Sequence, residues 1–153
     1  MIFCKKCEYA IRALVDLAQT HSVTGAREIA RRQNVPYHFV AKILQELRAQ
    51  GFLQSARGKS GGFALARPAD QILLMEVVVA LDCHHWLHQC IYGFADCVDG
   101  NPCPLHVGWK PIRGQIESYL NRHTIADLAR PLRDGEKPEA GRLDQPGLPS
   151  ATC

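Results

Sequence analysis

A glycine-rich connection between two short alternating segments is the feature that most restricts the fold of this chain. Residues 52–67 read FLQSARGKSGGFALAR, with apolar and polar positions alternating on both sides of residues 57–62. Alternation with a period of two predicts β-strands, and so many glycines between them predict a hairpin turn. A nucleotide-binding loop would instead lead into a helix, whereas a strand and then Pro68 follow here. The sequence therefore predicts a β-hairpin with Arg57 and Lys59 at its tip.

Three helices are predicted before this hairpin. Apolar residues spaced by three and four indicate helices over residues 8–21 and 26–32, and a third from Pro36 to about residue 50. Thr24 is the predicted N-cap of the second helix, and Pro36 suits the first turn of the third. The buried face of the third helix is predicted to carry Phe39, Val40, Ile43, Leu44 and Leu47.

The second and third helices, joined by a short turn, form a helix-turn-helix, and the hairpin that follows them is its wing. The first residues of the third helix would face base edges, and the cationic hairpin would lie against phosphates or in a minor groove. A generic helical bundle that binds no nucleic acid stays open on the helix pattern alone. The predicted DNA-binding residues are Tyr37, His38, Lys42, Arg57, Lys59, Ser60 and Gly61.

Charge is divided unevenly along the chain. Residues 1–67 hold 11 Lys and Arg against 4 Asp and Glu, whereas residues 68–153 hold 7 against 11. A basic half joined to an acidic half is typical of a nucleic-acid-binding unit with a separate control region, although chance segregation of surface charge remains open. No apolar run approaches the ~18 residues that a membrane span needs, and no secretory signal precedes the first helix. We therefore expect a cytoplasmic protein with no membrane partner.

A second constraint is the density of cysteine and histidine in residues 83–106. This stretch reads CHHWLHQCIYGFADCVDGNPCPLH and holds four of the seven Cys and four of the seven His. Thiolate and imidazole are the ligands that bind zinc and iron–sulfur clusters. An odd number of Cys in a chain without an export signal also favours metal or redox chemistry over structural disulfides. The stretch is therefore predicted to bind a metal centre.

Two further helices are predicted around this stretch. Residues 73–82 form an apolar helix, with a strand as the alternative, and residues 109–122 form a long amphipathic helix. The long helix would pack on a second copy of the chain or back on its own domain. The predicted fold is mainly α with a small β wing. Its parts are a winged helix-turn-helix domain (1–82), a Cys/His loop (83–108), a dimerisation helix (109–130) and a flexible tail (131–153).

These motifs together resemble the IscR/NsrR-type family of winged-helix transcription regulators. The likeness covers about residues 1–130, and its most specific parts are the wing and the loop with three Cys. The matching segments are Tyr9-Ala10 in the first helix, VPYHFVAKILQELRAQGFL, ARGKSGGFALAR, LLMEVVVALD and the final TIADL.

The resemblance implies a homodimer that binds a double-stranded DNA operator and carries an iron–sulfur cluster before the dimerisation helix. The three loop thiolates of the family fall on Cys90, Cys97 and Cys103. Their spacing, Cys-x6-Cys-x5-Cys, has a slightly longer first gap than is usual in the family. We therefore leave the cluster type open, with [2Fe–2S] preferred over [4Fe–4S].

The fourth ligand implied by the resemblance is His106, three residues after Cys103. Glu8 is the main alternative, reaching across from the partner subunit, and Cys7 is a third. His84, His85 and His88 have no counterpart in the family, and we expect them to be solvent-exposed. One nitrogen or oxygen ligand among three thiolates raises the potential of a cluster and makes its attachment weaker.

The expected function is that of a transcription regulator, a repressor rather than an enzyme, whose DNA affinity depends on a cluster that senses redox state, nitric oxide or iron. A cluster-free regulator that uses a thiol–disulfide switch or zinc is the first alternative, because zinc suits a set of three Cys and one His equally well. An iron–sulfur electron-transfer protein or a thiol enzyme is a remote alternative.

Overall fold

The computed structural model describes residues 3–58, 61–94 and 97–130, and the predicted tail at residues 131–153 lies outside them. As predicted, the fold is mainly α-helical with one small antiparallel hairpin. Short 3-10 turns at Ala69–Gln71 and His85–Leu87 flank the fourth helix. The elements are α1 (Lys5–Thr20), α2 (Ala26–Gln33), α3 (Tyr37–Ala49), β1 (Leu53–Ala56), β2 (Gly62–Leu65), α4 (Leu74–Ala80), α5 (His106–Leu120) and α6 (Ile125–Ala129).

Helix α1 lies at the centre of the molecule and contacts α2, α3, α4, α6 and β2. Its inner face is made of small and medium-sized side chains, among them Ala10, Ala13 and Leu14, so neighbouring helices approach it closely. Leu44 and Leu47 from α3 and Ile29 from α2 complete the core beneath the helix-turn-helix. Burial of this continuous apolar surface holds the three helices as one unit.

Two details of the helix-turn-helix differ from expectation. The N-cap of α2 is Gly25 and not Thr24, because the backbone of Thr24 forms an antiparallel bridge with Phe63 of the wing. Phe39 was predicted on the buried face of α3 but is 51% exposed, since it lies on the outward side of the first turn. Asn34 adopts the left-handed conformation that lets the chain turn between α2 and α3.

The wing is a hairpin in which Leu53 pairs with Leu65 and Ala56 pairs with Gly62. Two backbone hydrogen bonds join it to the segment before α2: Thr24 N–H donates to Phe63 O, and Phe63 N–H donates to Thr24 O, both at 2.9 Å. A Cβ on Gly62 would lie 2.5 Å from the carbonyl carbon of Thr24, so only glycine fits at this contact. The wing is therefore fixed to the helix-turn-helix by its backbone.

The C-terminal elements return to the N-terminal bundle. Ile125 N–H donates to Ile72 O and Leu74 N–H donates to His123 O, so the start of α6 is paired with the start of α4. Helix α4 is helical as predicted and not a strand. Among the described residues, no helix is both long enough and apolar enough to cross a membrane.

Helix α5 begins at His106, three residues earlier than the predicted start at residue 109, and contains Pro111 in its second turn. It contacts its own core near its C-terminal end, through Ile116 and Leu120. Most of its other side chains are exposed, including Val107 at 83% and Tyr119 at 54%.

Candidate metal centre and nucleic-acid interface

The four predicted metal ligands converge at the end of the Cys/His loop and the start of α5. Cys90, Cys103 and His106 are buried, with exposed fractions of 7%, 6% and 6%, and Cys97 is half-buried. The side chains of Cys90 and Cys103 are hydrogen-bonded to each other. The Nδ1 atom of His106 lies 3.3 Å from Sγ of Cys97. The loop thus gathers three thiols and one imidazole from a stretch of 17 residues.

His106 is oriented by an acidic partner on the loop. Its Nε2 atom lies 2.8 Å from Oδ1 of Asp99, and Nζ of Lys110 lies 2.7 Å from both carboxylate oxygens of Asp99. The Lys110 ammonium and then the His106 ring lower the pKa of the Asp99 carboxyl, so Asp99 stays ionised. A carboxylate that accepts from one ring nitrogen leaves the other free to bind a metal, which is the usual arrangement around metal-binding histidines.

Backbone N–H groups surround the sulfur of Cys90. Burial alone would raise the pKa of the Cys90 thiol, but hydrogen bonds from the N–H groups of Tyr92, Gly93 and Phe94 and from the Cys103 thiol lower it below its usual value. Gly93 has φ 98°, a conformation that glycine adopts without strain and that closes the turn over Cys90. The loop therefore favours a thiolate at Cys90.

The donor set consists of residue types that can bind an iron–sulfur cluster or zinc. Within residues 3–58, 61–94 and 97–130, no three Cys, His, Asp or Glu side chains are arranged to hold one metal ion. The ligands of a cluster bind more than one iron atom, so their donor atoms lie farther apart than those around a single ion. Three thiols and one imidazole, with N–H groups directed at one sulfur and a carboxylate behind the imidazole, supply the chemistry that such a group requires.

The two rival fourth ligands lie elsewhere on this chain. Glu8 lies on α1, where its carboxylate is 3.5 Å from Nζ of Lys5 and 3.9 Å from a guanidinium nitrogen of Arg12. Cys7 is fully buried and contacts Cys83. Within one chain, His106 is therefore the candidate that the fold brings to the three thiols.

The other three histidines of the Cys/His loop only partly match the expected solvent exposure. His85 and His88 are exposed, whereas the side chain of His84 is 29% exposed. The rings of His84 and His85 stack with centroids 5.5 Å apart. The expectation that all three are solvent-exposed is wrong for His84, because the loop folds back on the N-terminal segment.

The sequence pattern offered Cys7 as a possible ligand but did not predict that Cys7 lies beside two further cysteines. Cys4 and Cys7 form a Cys-x-x-Cys pair at the start of α1, and both approach Cys83. The spacing of Cys4 and Cys7 was a visible signal. The contribution of Cys83 was not visible, because 79 residues separate it from Cys4.

The exposed face of α3 carries the predicted base-contacting residues. Tyr37 is 46% exposed, and His38 and Lys42 are also exposed. The guanidinium of Arg27 on α2 lies 4.8 Å from the centroid of the Tyr37 ring, so a cation adjoins the first turn of α3. Sequence reasoning did not include Arg27 or the exposed Phe39.

The wing carries the remaining predicted DNA-binding residues. Arg57 is exposed at the end of β1, and Gly61 makes a tight turn in which its N–H donates to Gly58 O at 2.9 Å. A Cβ on Gly61 would lie 2.7 Å from Ala56 O, which explains glycine at this position. Lys59 and Ser60, also predicted to bind DNA, lie outside the described residues.

Sequence comparison finds relatives that are transcriptional regulators. The sequence matches the Rrf2 family, described as an iron-dependent transcriptional regulator, over residues 3–131. It is 33% identical over 144 residues to the HTH-type transcriptional regulator IscR of Photobacterium profundum, covering 92% of this chain and 81% of that protein. It is 31% identical over 133 residues to IscR of Vibrio atlanticus, covering 86% and 75%.

Solved structures show the same winged-helix fold. CymR, the global cysteine regulator of B. subtilis, superposes with a TM-score of 0.68 at 24% identity, covering 82% of this chain and 93% of that chain. IscR of T. potens superposes with a TM-score of 0.64 at 24% identity, covering 81% and 82%. The relatives are transcriptional regulators, which confirms that a non-enzymatic role was the right prediction. The chain therefore belongs to the Rrf2 family of iron-dependent transcriptional regulators.

Proposed function

We propose that this protein is a DNA-binding repressor whose affinity for its operator is controlled by an iron–sulfur cluster held by Cys90, Cys97, Cys103 and His106. The observation that carries the proposal is the convergence of these four side chains at the start of α5, with His106 held between Cys97 and Asp99. Of the two common cluster types, [2Fe–2S] is preferred. When bound, the cluster supplies sensitivity to redox state, nitric oxide and iron supply.

Residues of this chain would stabilise the bonds to the cluster and leave one of the four bonds weaker. Backbone N–H groups stabilise the thiolate of Cys90, and the Asp99–Lys110 pair fixes the ring of His106. Only one of the four ligands is an imidazole, a neutral ligand that binds iron more weakly than an anionic thiolate does. His106 is therefore the point at which the attachment opens.

The DNA-binding surface consists of the start of α3 and the wing. Tyr37, His38 and Lys42 would enter the major groove, where the α3 N-terminus reaches base edges. Arg57, Lys59, Ser60 and Gly61 would lie against the backbone or in the adjacent minor groove. The exposed ring of Phe39 and the cation of Arg27 adjoin the same groove-facing turn and extend this surface.

A homodimer would place two such surfaces on one operator. The exposed apolar side chains of α5 have few contacts with their own chain, which supports packing on a second copy. Val107, Ile112 and Tyr119 are exposed at 83%, 48% and 54%. A two-fold axis through this helix would present the recognition helices to half-sites roughly 34 Å apart.

The Cys/His loop leads directly into α5, so a change in the loop at the cluster site would also change the position of this helix. His106 lies in the first turn of α5, on the same helix as Val107 and Ile112, and Cys103 lies three residues before the helix begins. Ligand binding would order residues 83–108 and fix the position of α5. Release would relax the loop, and DNA affinity would shift by the difference in contacts between the two states. Such a regulator works in the cytoplasm, where the operator lies.

A cluster-free switch is the second candidate. The direct contact between Cys90 and Cys103 would allow a disulfide between them, and the lowered pKa of Cys90 would favour its oxidation. Zinc on the same four residues remains the other form of this alternative, although no single-ion arrangement is found among the described residues.

The deciding experiment is anaerobic purification of the full chain followed by an absorbance spectrum and assays of iron and sulfide. We expect visible bands with matched iron and sulfide, and their loss in Cys90→Ala but not in the control Cys153→Ala. A colourless protein that holds zinc, or no metal, would reject the cluster. Selection of DNA sequences from a random pool, with and without the cluster, then identifies which form binds.

Cation substitutions test the DNA surface separately. Lys42→Ala and Arg57→Ala should weaken binding to the selected sequence, and each should reduce the slope of log affinity against log salt by about 1. Arg130→Ala, which removes a 78% exposed cation after α6, is the control. Unchanged salt slopes in both variants would reject the assigned surface.

A further inference from the structure

Three consecutive aromatic rings are exposed in the first turn of α3. Tyr37 is 46% exposed, His38 is also exposed, and Phe39 is 51% exposed. Val40, the next residue, is 2% exposed and fills the core side of the helix. Single exposed apolar residues are common on protein surfaces, but adjacent rings on one helical turn form a patch that is typical of a binding contact. Packing of the core therefore does not explain the aromatic ring at residue 39.

The neighbours of Phe39 restrict its position. Its ring lies against that of His38, with centroids 4.4 Å apart and planes tilted by 39°. Tyr37 lies instead against the guanidinium of Arg27, 4.8 Å from the ring centroid. Lys42 follows Phe39 by three residues and so projects from the adjoining position of the helix surface. The Phe39 ring is thus an apolar group beside the predicted base-contacting residues.

The charge around this ring suits nucleic acid. The first turn of α3 contains no acidic side chain. Lys42 on α3 and Arg27 on α2 supply two cations. Glu46 lies two turns along the same side of the helix, and Nζ of Lys6 neutralises its charge at 2.8 Å. An apolar ring among cations complements a polyanion that also presents apolar groups, which favours DNA over a second copy of this chain as the occupant.

We propose that Phe39 recognises thymine by packing its ring on the 5-methyl group of that base in the major groove. This methyl group is the apolar feature that base edges present in the major groove. Adenine, guanine and cytosine present hydrogen-bond donors or acceptors there, and a phenyl ring would leave these groups without a partner. The inference rests on the proposed DNA-binding function and adds to it the base that this position of α3 selects.

The contribution of such a contact is apolar and modest for each half-site. Burial of one methyl-sized group corresponds to about a fourfold change in affinity. A homodimer would make the contact twice, so removal of both methyl groups from one operator should weaken binding about 16-fold. The contact involves no charge, so it should not depend on salt in the way that a phosphate contact does.

The test uses deoxyuridine, which differs from thymine only by the absence of the 5-methyl group. The full-length protein is taken in the form, with or without the cluster, that selects a sequence from the random pool. Each thymine of the selected sequence is replaced in turn by deoxyuridine, and affinity is measured by fluorescence anisotropy. We expect one sensitive thymine in each half-site, with about a fourfold loss of affinity.

A second arm restores the methyl group on a different base. The sensitive T·A pair is exchanged for C·G, and the new cytosine is then methylated at C5, which puts a methyl group at the same place in the groove. Wild-type protein should recover about fourfold in affinity on methylation. Phe39→Ala protein should recover none.

Variants assign the methyl contact to this ring. Phe39→Ala should bind the thymine operator more weakly and lose sensitivity to deoxyuridine, while its salt slope stays that of wild type because no cation is removed. Phe39→Leu keeps an apolar contact and should keep part of the sensitivity. Leu128→Ala, which removes a 47% exposed apolar side chain from α6, is the matched control and should behave as wild type. Lys42→Ala should instead lower the salt slope and keep the response to deoxyuridine.

The outcomes separate this inference from the proposed function. A random pool that yields no preferred sequence would reject the DNA-binding function and the thymine contact together. A selected sequence in which deoxyuridine is tolerated at every position would reject the thymine contact alone. Equal sensitivity to deoxyuridine in wild type and in Phe39→Ala would also overturn it, because another residue would then contact the methyl group.

Discussion

The ring of His106 lies between a thiol and a carboxylate: its Nδ1 atom is 3.3 Å from Sγ of Cys97, and its Nε2 atom is 2.8 Å from Oδ1 of Asp99. Lys110, one turn along α5, contacts both oxygens of Asp99 at 2.7 Å. Polar contacts thus connect Lys110 on the surface of α5, through Asp99 and His106, to the sulfur of Cys97. Because Asp99 accepts from Nε2, the lone pair of His106 is directed toward Cys97 and its neighbours.

Replacement of Asp99 by Asn should weaken metal retention while leaving all four proposed ligands in place. The neutral amide orients the ring less firmly and makes the imidazole less basic, and losses of this kind reach about 10–100-fold in metal affinity. The measurement is a chelator titration of anaerobically reconstituted protein, followed by absorbance. Asp70→Asn, at an exposed position in the 3-10 turn before α4, is the control. Equal chelator midpoints for all three proteins would show that Asp99 has no such role.

Replacement of Gly62 by Ala should detach the wing from the helix-turn-helix. The new Cβ would lie 2.5 Å from Thr24 C and 2.8 Å from Gly25 N, and these backbone atoms cannot move without breaking the bridge between Thr24 and Phe63. We expect a loss of about 1–3 kcal/mol in the free energy of unfolding. The measurement is chemical denaturation, with Gly25→Ala as control because its Cβ would have its nearest neighbour at 3.9 Å. A stable Gly62→Ala protein would mean that the wing is not anchored there.

The overall fold could be predicted because each element has a local signal. Helical periodicity located α1, α2 and α3, and the glycines of the wing located the hairpin. Thr24 was misassigned because its local pattern is that of an N-cap, whereas its backbone is paired with a strand almost forty residues away. Phe39 was misassigned because hydrophobicity does not tell which side of an amphipathic helix meets the core when two apolar residues are adjacent.

The stretch that holds the candidate site could be predicted from the sequence, but the contacts around it could not. The density of Cys and His identified residues 83–106, and the family resemblance selected Cys90, Cys97, Cys103 and His106 within them. Their orienting group, Asp99 with Lys110, depends on the turn of the loop onto α5. The contact of Cys4 with Cys83 depends on the packing of α1 against α4, which sequence spacing does not encode.

The capping of α6 should make stability depend on pH. Asp127 accepts from the backbone N–H of Thr124 at 2.9 Å and from its hydroxyl at 3.0 Å. These bonds, and then the charges of Arg130 and His123, lower the pKa of the Asp127 carboxyl. A lowered pKa in the folded state means that the stabilisation is present above the usual carboxyl pKa and is lost as pH falls through the lowered value.

Replacement of Asp127 by Asn keeps a hydrogen-bond acceptor and removes the charge. We therefore expect a lower unfolding temperature than wild type at pH 7, with the difference shrinking below about pH 4, where the wild-type carboxylate also becomes protonated. Thermal unfolding across this pH range measures it. A difference that stays constant at all pH values would show that the charge of Asp127 does not stabilise the cap.

Arg32 should contribute more to stability than any exposed ion pair on α2. Asp16 on α1 is nearly buried, with its side chain 5% exposed, and Arg32 meets it with Nε 2.9 Å from Oδ1 and Nη2 2.6 Å from Oδ2. Gln33 donates to the same carboxylate at 3.0 Å. The cation thus neutralises a charge inside the contact between α1 and α2. Removal of the cation alone leaves a buried carboxylate without its partner.

Arg32→Met should lower the free energy of unfolding by roughly 2–3 kcal/mol, somewhat less than for a fully buried pair because Arg32 remains partly in water. Arg31→Met is the matched control: its side chain is 73% exposed, so the urea midpoint should not change. Arg32→Lys should not restore full stability, because one ammonium cannot make both hydrogen bonds of the guanidinium fork. If Arg32→Lys were as stable as wild type, the two-point contact would not be what joins α1 to α2.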